Sequence, residues 1–176
     1  MQWGDLVQSV EHQRFETMTM PHVNALFQTA LRLTEDRTGA EEVVHEAYAC
    51  ASKSFDGREE RTGWRLGLFK ILIARIHRRN RGWFDRTWSA ELDQTGEEPS
   101  DPDTASYAPE QVVSALTKVP LAFREIILLV DCQGFSYKEA AEILGLSTET
   151  VADRLILGRR RLRSELAATI SIAAVS

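Results

Sequence analysis

Apolar residues recur at helical spacing through most of the chain, and the few points where the repeat breaks divide it into elements. Residues 1–20 are weakly patterned, with Trp3, Leu6, Val7 and Val10 enough for an amphipathic turn or two or a flexible arm. From His22 to Thr34, Val23, Leu26, Phe27, Ala30, Leu31 and Leu33 predict a mostly buried helix, opened by Pro21 as a first-turn residue. Asp36 to Ala40 reads as a turn containing Gly39. A second helix is expected from about Ala40 to Phe55, with Val44, Ala47, Tyr48, Ala51 and Phe55 on its inner stripe. The polar loop Phe55–Thr62 separates it from a third helix, about Thr62–Asn80, with Trp64, Leu68, Ile71, Leu72 and Ile76 apolar. The pattern resumes near Pro109, where Val112, Val113, Ala115, Leu116 and Val119 predict a short helix halted before Pro120. Leu121–Cys132 is apolar enough to read as a core helix, stopped at Gln133-Gly134.

The stretch that follows has the grammar of a helix-turn-helix. Ala140, Ala141, Ile143 and Leu144 let a short helix pack closely, and Gly145 sits where that helix must end. Ser147 or Thr148 caps the next helix, and Glu149 lies near its positive N-terminus. Val151, Leu155, Gly158, Leu162 and Leu166 form one apolar stripe. The other faces carry Glu149, Asp153, Arg154, Ile156, Arg159, Arg160, Arg161 and Arg163. A helix with one buried stripe and an Arg-rich end is what docking in a major groove requires. An ordinary αα-hairpin with a solvated face is the plainer reading.

Charge adds organisation that periodicity does not. The 176 residues carry a net charge of −5, so DNA binding must use local basic patches or a large partner. Between Thr87 and Thr117 there is no Lys or Arg, while Glu91, Asp93, Glu97, Glu98, Asp101, Asp103 and Glu110 accumulate among Pro99, Pro102 and Pro109. This segment reads as a flexible acidic linker between two helical units. On the third helix Lys70, His77, Arg78 and Arg81 share a face, with Arg79 and Arg86 close by and Trp64, Phe69, Trp83, Phe84 and Trp88 flanking it. Such a stripe suits a nucleic-acid strand with rings offered for stacking, or is a solvated basic face whose aromatics belong to the core.

Other chemistry is not indicated. Cys50 and Cys132 have no disulfide or zinc spacing and read as buried reduced thiols. His12, His22, His45 and His77 are scattered, and no phosphate loop or nucleophile–base motif is present, so neither an enzyme, a cofactor nor a metal site is expected. No apolar run approaches a membrane span and no signal-peptide plan opens the chain, so membrane insertion is not expected and the cytoplasm is the default location.

The segment 115–166 (ALTKVPLAFREIILLVDCQGFSYKEAAEILGLSTETVADRLILGRRRLRSEL) resembles region 4 of the extracytoplasmic-function sigma factors of bacterial RNA polymerase, group 4 of the sigma-70 family. The resemblance rests on Ala115, Leu116, Pro120, Arg124, Leu128, Gly134, Ser136, Tyr137, Glu139, Ala141, Gly145, Ser147, Thr150, Val151, Arg154, Leu155, Arg159, Leu162 and Arg163. Independently, residues 15–81 resemble region 2, through Phe15-Glu16, the run from Pro21 to Asp56 with Ala40, Glu41, Glu42 and Tyr48 in register, and LFKIL at 68–72. The chain departs from the usual pattern at His45 (glutamine in most members), Gly67 (tryptophan), Ala74 (asparagine), Ala152 (basic) and Asp153 (small polar). Trp64, one turn before Gly67, is a candidate to fill the space left there.

The resemblance implies an all-α protein of two small helical domains. The expected organisation is an N-terminal arm at 1–14, a region 2 domain at 15–86, the acidic linker at 87–110 and a region 4 helix-turn-helix domain at 111–176. It implies a sigma factor that binds core RNA polymerase and directs initiation at promoter DNA, controlled by an anti-sigma factor. Glu41, Glu42, His45 and Glu46 would meet the polymerase. Asp56, Arg58, Arg61, Lys70, His77 and Arg78 would act at the −10 element. Ser147, Thr148, Glu149, Thr150, Ala152, Asp153, Arg154, Ile156, Arg159 and Arg160 would act at the −35 element. The acidic linker would run near the nascent-RNA path. Two rivals are a sigma-like module that captures an anti-sigma factor without promoter activity, and a stand-alone helix-turn-helix regulator.

Overall fold

The computed structural model describes residues 13–54, 61–80 and 107–173, together with the side chains of all of these except 61, 62 and 169–173. The contacts divide the chain into two compact units, Met1–Arg79 and Asn80–Ser176. Among the described residues every regular element is helical.

In the first unit, helical residues 13–19 lead through a tight turn at Met20–His22 into α1, Val23–Thr34. Pro21 occupies that turn, where its missing N–H leaves no bond unmade. Leu26, Ala30 and Leu33 are buried, and Thr29 joins them by donating to the Ala25 carbonyl at 2.8 Å. The expected turn at 36–40 is shorter than predicted. Glu35 alone takes a left-handed conformation (φ 56°), and α2 begins at Arg37. The Asp36 carboxylate caps it, accepting from the Thr38 and Gly39 N–H groups at 3.3 and 2.6 Å. Gly39 is therefore a first-turn helical residue. A Cβ there would lie 2.8 Å from the capping oxygen, so glycine admits the cap.

α2 spans Arg37–Lys53 and buries Ala40, Val43, Ala47 and Ala51. The stripe thus centres on Val43 rather than Val44, and small residues let α1 and α3 approach. α3, Arg61–Arg79, contributes Trp64, Leu68, Phe69, Leu72, Ile73 and Ile76 to the same core. Trp64 meets Phe15 edge-to-face, with ring centroids 5.8 Å apart. No atom lies within 4 Å of where a Gly67 Cβ would stand, so Trp64 does not fill that space. Trp64 and Phe69 belong to the core and are not stacking platforms.

The second unit is built around α5, Leu121–Ile127, which is buried along its whole length. α4, Pro109–Lys118, precedes it. α5 runs on into one wider turn, Leu128–Cys132, closed by the Gln133 N–H donating to the Leu128 carbonyl at 2.9 Å. That turn ends at the surface and leaves Cys132 exposed, against the expectation of a buried thiol. Gly134 then reverses the chain at φ 69°. Two charges sit inside this core. Arg124 donates to the carbonyls of Thr117 and Val119, satisfying orphan acceptors at the end of α4. Glu125 is 2% exposed.

α6, Tyr137–Leu144, and α7, Thr148–Ala173, complete the unit, and α4, α5 and α6 all contact α7. At Gly158 a Cβ would stand 3.1 Å from both Phe123 Cβ and Ile127 Cδ1, so the missing side chain is what brings α5 and α7 together.

Candidate nucleic-acid interface

Local chemistry fixes the helix-turn-helix at both ends of its turn. Ser136 caps α6: its hydroxyl accepts from the Glu139 N–H at 3.3 Å, and the Glu139 carboxylate accepts from the Ser136 N–H at 2.8 Å. Gly145 closes α6 in the left-handed conformation at φ 67°, which a side chain would oppose. Ser147 then caps α7 by accepting from the Thr150 N–H at 3.1 Å. Of the two capping candidates, Ser147 therefore does the work and Thr148 begins the helix. Val151, Leu155 and Leu166 anchor the inner side of α7.

With that side held, the placement of the charged residues follows. Arg159 forks onto Asp131, with Nε 3.0 Å from Oδ2 and Nη2 2.5 Å from Oδ1. This bidentate pair raises the Arg159 pKa and ties the middle of α7 to the turn that ends α5. Burial lowers the Arg154 pKa, and the charge of buried Glu125 opposes that fall. Arg159 is thus tied to its own domain although its side chain remains 43% exposed, and Arg154 is half-buried. Arg161 lies 3.4 Å from Glu165.

The opposite side of α7 faces outward. Glu149, Asp153 and Ile156 are exposed, Ile156 by 63%, and Arg160 is half-buried one further step along. Ser147 and Thr148 are exposed, while Thr150 and Ala152 are half-buried. A hydrogen bond from the Glu149 backbone N–H, and then those of the Ser147 and Thr148 hydroxyls, hold the Glu149 carboxyl below the usual range.

In the first unit the acidic face of α2 is partly engaged. Arg79, at the end of α3, donates from Nη1 to Glu42 at 2.8 Å and from Nη2 to Glu46 at 2.9 Å. Glu41 pairs with Arg37 at 3.0 Å, and His45 is exposed beside them. Sequence reasoning missed Arg79, because its place in a run of basic residues did not distinguish it from its neighbours. Asp131 and Glu125 were missed for the same kind of reason. Each is a lone acid in an apolar stretch whose partner lies on another helix. Among the expected −10 residues, Lys70 and Arg78 are exposed and His77 is half-buried, all on α3. Asp56 and Arg58 lie outside the described residues, as do Phe55, Arg81, Trp83, Phe84, Arg86 and Trp88, and the Arg61 side chain is not described.

No helix among the described residues is long and apolar enough to cross a membrane. No group of His, Cys, Asp and Glu there is placed to hold a metal ion.

Comparison with known proteins agrees with this geometry. Residues 110–162 match the family profile "Sigma-70, region 4". The chain is 28% identical over 172 residues to the RNA polymerase sigma factor CnrH of Cupriavidus metallidurans, covering 90% of this chain and 89% of that one. It is 26% identical over 158 residues to the ECF RNA polymerase sigma factor SigE of Mycolicibacterium smegmatis, covering 87% of this chain but only 62% of that relative's length. Among solved structures it resembles CnrH in complex with the cytosolic domain of CnrY, with a TM-score of 0.62 and 27% identity over 88% of each chain. It shares the fold of the sigma factor RpoE solved with the anti-sigma factor NepR from Bartonella quintana, with a TM-score of 0.65 and 24% identity over 87% of this chain and 96% of that one. With the helix-turn-helix matched by the family profile and both helical units covered by the relatives, the chain is similar over most of its length to extracytoplasmic-function sigma factors of the sigma-70 family.

Proposed function

We propose that the chain binds core RNA polymerase and directs initiation at promoters that it recognises at two elements, under the control of an anti-sigma factor. The observation that carries this reading is the doubly capped helix-turn-helix at Ser136–Gly145–Ser147, which presents α7 outward within a chain similar to named sigma factors over most of its length. α7 enters the major groove of the −35 element from Thr148 onward. Asp153 and Ile156 meet bases, Arg160 holds phosphate, and Arg154 and Arg159 fix the helix from behind. The exposed basic residues Lys70 and Arg78, with His77, Arg61, Asp56 and Arg58, act at the −10 element. Glu41, Glu42, His45 and Glu46 form the polymerase-binding face. The protein is a non-enzymatic transcription factor of the cytoplasm, and the acidic segment 87–110 links two domains that act on one platform. Tethering multiplies two modest DNA affinities through effective concentration.

The test is in vitro transcription with purified core polymerase over a library of genomic promoters. Initiation that requires the chain and selects a subset of promoters is expected. No promoter-dependent initiation, together with capture of an anti-sigma factor, would show a sigma-like binding module instead.

A further inference from the structure

The early turns of the outward stripe of α7 lack the group most often used to read DNA. An arginine on a base edge takes guanine by a bidentate contact. Of the two arginines nearest the start of α7, Arg159 is forked onto Asp131 and Arg154 is half-buried. Arg160 is the first arginine on the outward stripe, 12 residues past Thr148 and so roughly 18 Å along the helix from its start. What the early turns present outward is a carboxylate, Asp153, and a branched hydrocarbon, Ile156. Glu149 is exposed as well, one step nearer the helix start on the same stripe.

We infer that α7 reads a thymine through its C5-methyl group at Ile156 and a cytosine through its exocyclic amine at Asp153, on neighbouring base pairs of the −35 element. Ile156 is 63% exposed, whereas Val151, Leu155 and Leu166 on the same helix are buried. A thymine methyl is the one apolar group in the major groove that such a side chain can cover. Asp153 has only acceptors, so it needs a donor. Adenine flanks its amine with the N7 acceptor, which repels a carboxylate, whereas cytosine offers its amine without one. The two residues are three apart, so they are offset by about 4.5 Å along the helix, close to the step from one base pair to the next. Arg160 then follows on the same stripe, where a groove-bound helix leaves the bases and reaches the phosphates. A carboxylate near phosphate is unfavourable unless its donor is present, so Asp153 rejects wrong bases as much as it selects the right one.

This inference rests on the proposed promoter-recognition function. The experiment uses holoenzyme assembled from the full chain and core polymerase. A −35 element is selected from a randomised duplex library by transcription, and each of its thymines is then replaced by deoxyuridine, which removes only the methyl group. At one thymine the wild type is expected to lose about fourfold, the worth of one buried methyl. Ile156→Ala should start lower and show no further loss at that position. Asp153→Asn keeps the shape and removes the charge. It should lose the preference for cytosine at the adjacent pair and bind mismatched elements more tightly. Initiation that is insensitive to deoxyuridine at every position, or equally sensitive in Ile156→Ala, would overturn the inference while leaving the function intact. An unchanged base preference in Asp153→Asn would overturn the cytosine contact. If no library member supports initiation, the proposed function itself fails, and this reading fails with it.

Discussion

Tyr48 joins two separate parts of the first unit with a single atom. Its hydroxyl donates to the Thr19 carbonyl at 2.7 Å, and its ring meets Phe15 edge-to-face with centroids 6.3 Å apart. Burial disfavours the tyrosinate and pushes its pKa from 10.0 up to about 12. Because the folded pKa lies above the unfolded one, the neutral phenol stabilises the fold. That contribution is complete below pH 10.0 and is lost as pH rises through about 12. Tyr48→Phe should therefore cost about 1 kcal/mol at neutral pH, since it leaves the Thr19 carbonyl without this donor. In urea titrations repeated across pH, the variant's stability should also fall less steeply than the wild type's between pH 10.0 and 12. Parallel pH profiles would mean that the hydroxyl contributes nothing specific. The same scale explains Arg124, a charge in a buried run, whose contacts at the end of α4 show why an arginine stands among leucines.

Two glycines inside helices illustrate how elements depend on what passes beside them. In α3 the site of a Gly67 Cβ is open, so Gly67→Ala adds helix propensity without a clash and should stabilise the first unit by about 0.5–1 kcal/mol. In α7 the same gain at Gly158 is opposed by Phe123 Cβ at 3.1 Å, an atom fixed to the α5 backbone that cannot rotate away. Parting two packed helices costs about 1–3 kcal/mol, so Gly158→Ala should destabilise the second unit by roughly 1 kcal/mol net. Thermal melts of the two variants should shift in opposite directions, and a rise in both would show that the α5–α7 contact yields easily. These contrasts mark how far the sequence could be read. Helix order, Gly145 and the apolar stripe of α7 were legible because periodicity and capping are local. The choice of Val43 over Val44 was not, because both lie near the inner face and the positions of α1 and α3 decide between them. The start of α2 was not legible, because a glycine after an acid has the composition of a turn, whereas Gly39 accommodates the Asp36 cap. The roles of Arg154 and Arg159 were illegible because their partners, Glu125 and Asp131, are about thirty residues away in sequence and one helix away in space.

Charge is distributed over the whole chain so that its sign changes with position. The net charge is −5, yet residues 87–117 hold seven acids and no Lys or Arg, which leaves +2 for everything else. Counterion release makes nonspecific DNA affinity grow with local positive charge, and a tethered run of acids competes with phosphate for the same basic residues. The acidic segment is therefore expected to suppress binding by the free chain without altering base selection, for which the geometry of α7 is proposed to be responsible. Replacing Glu91, Asp93, Glu97, Glu98, Asp101 and Asp103 with their amides brings the net charge from −5 to +1. The free variant should bind random-sequence duplex about tenfold more tightly at low salt, an advantage that disappears as added salt screens the charges. Holoenzyme made with the same variant should keep the wild type's order of preference among −35 elements, because none of the six residues belongs to the helix-turn-helix. A free variant that binds random duplex no better than the wild type would show that the acids do not compete for the basic faces. A reordered −35 preference would show that the acidic segment acts on recognition itself.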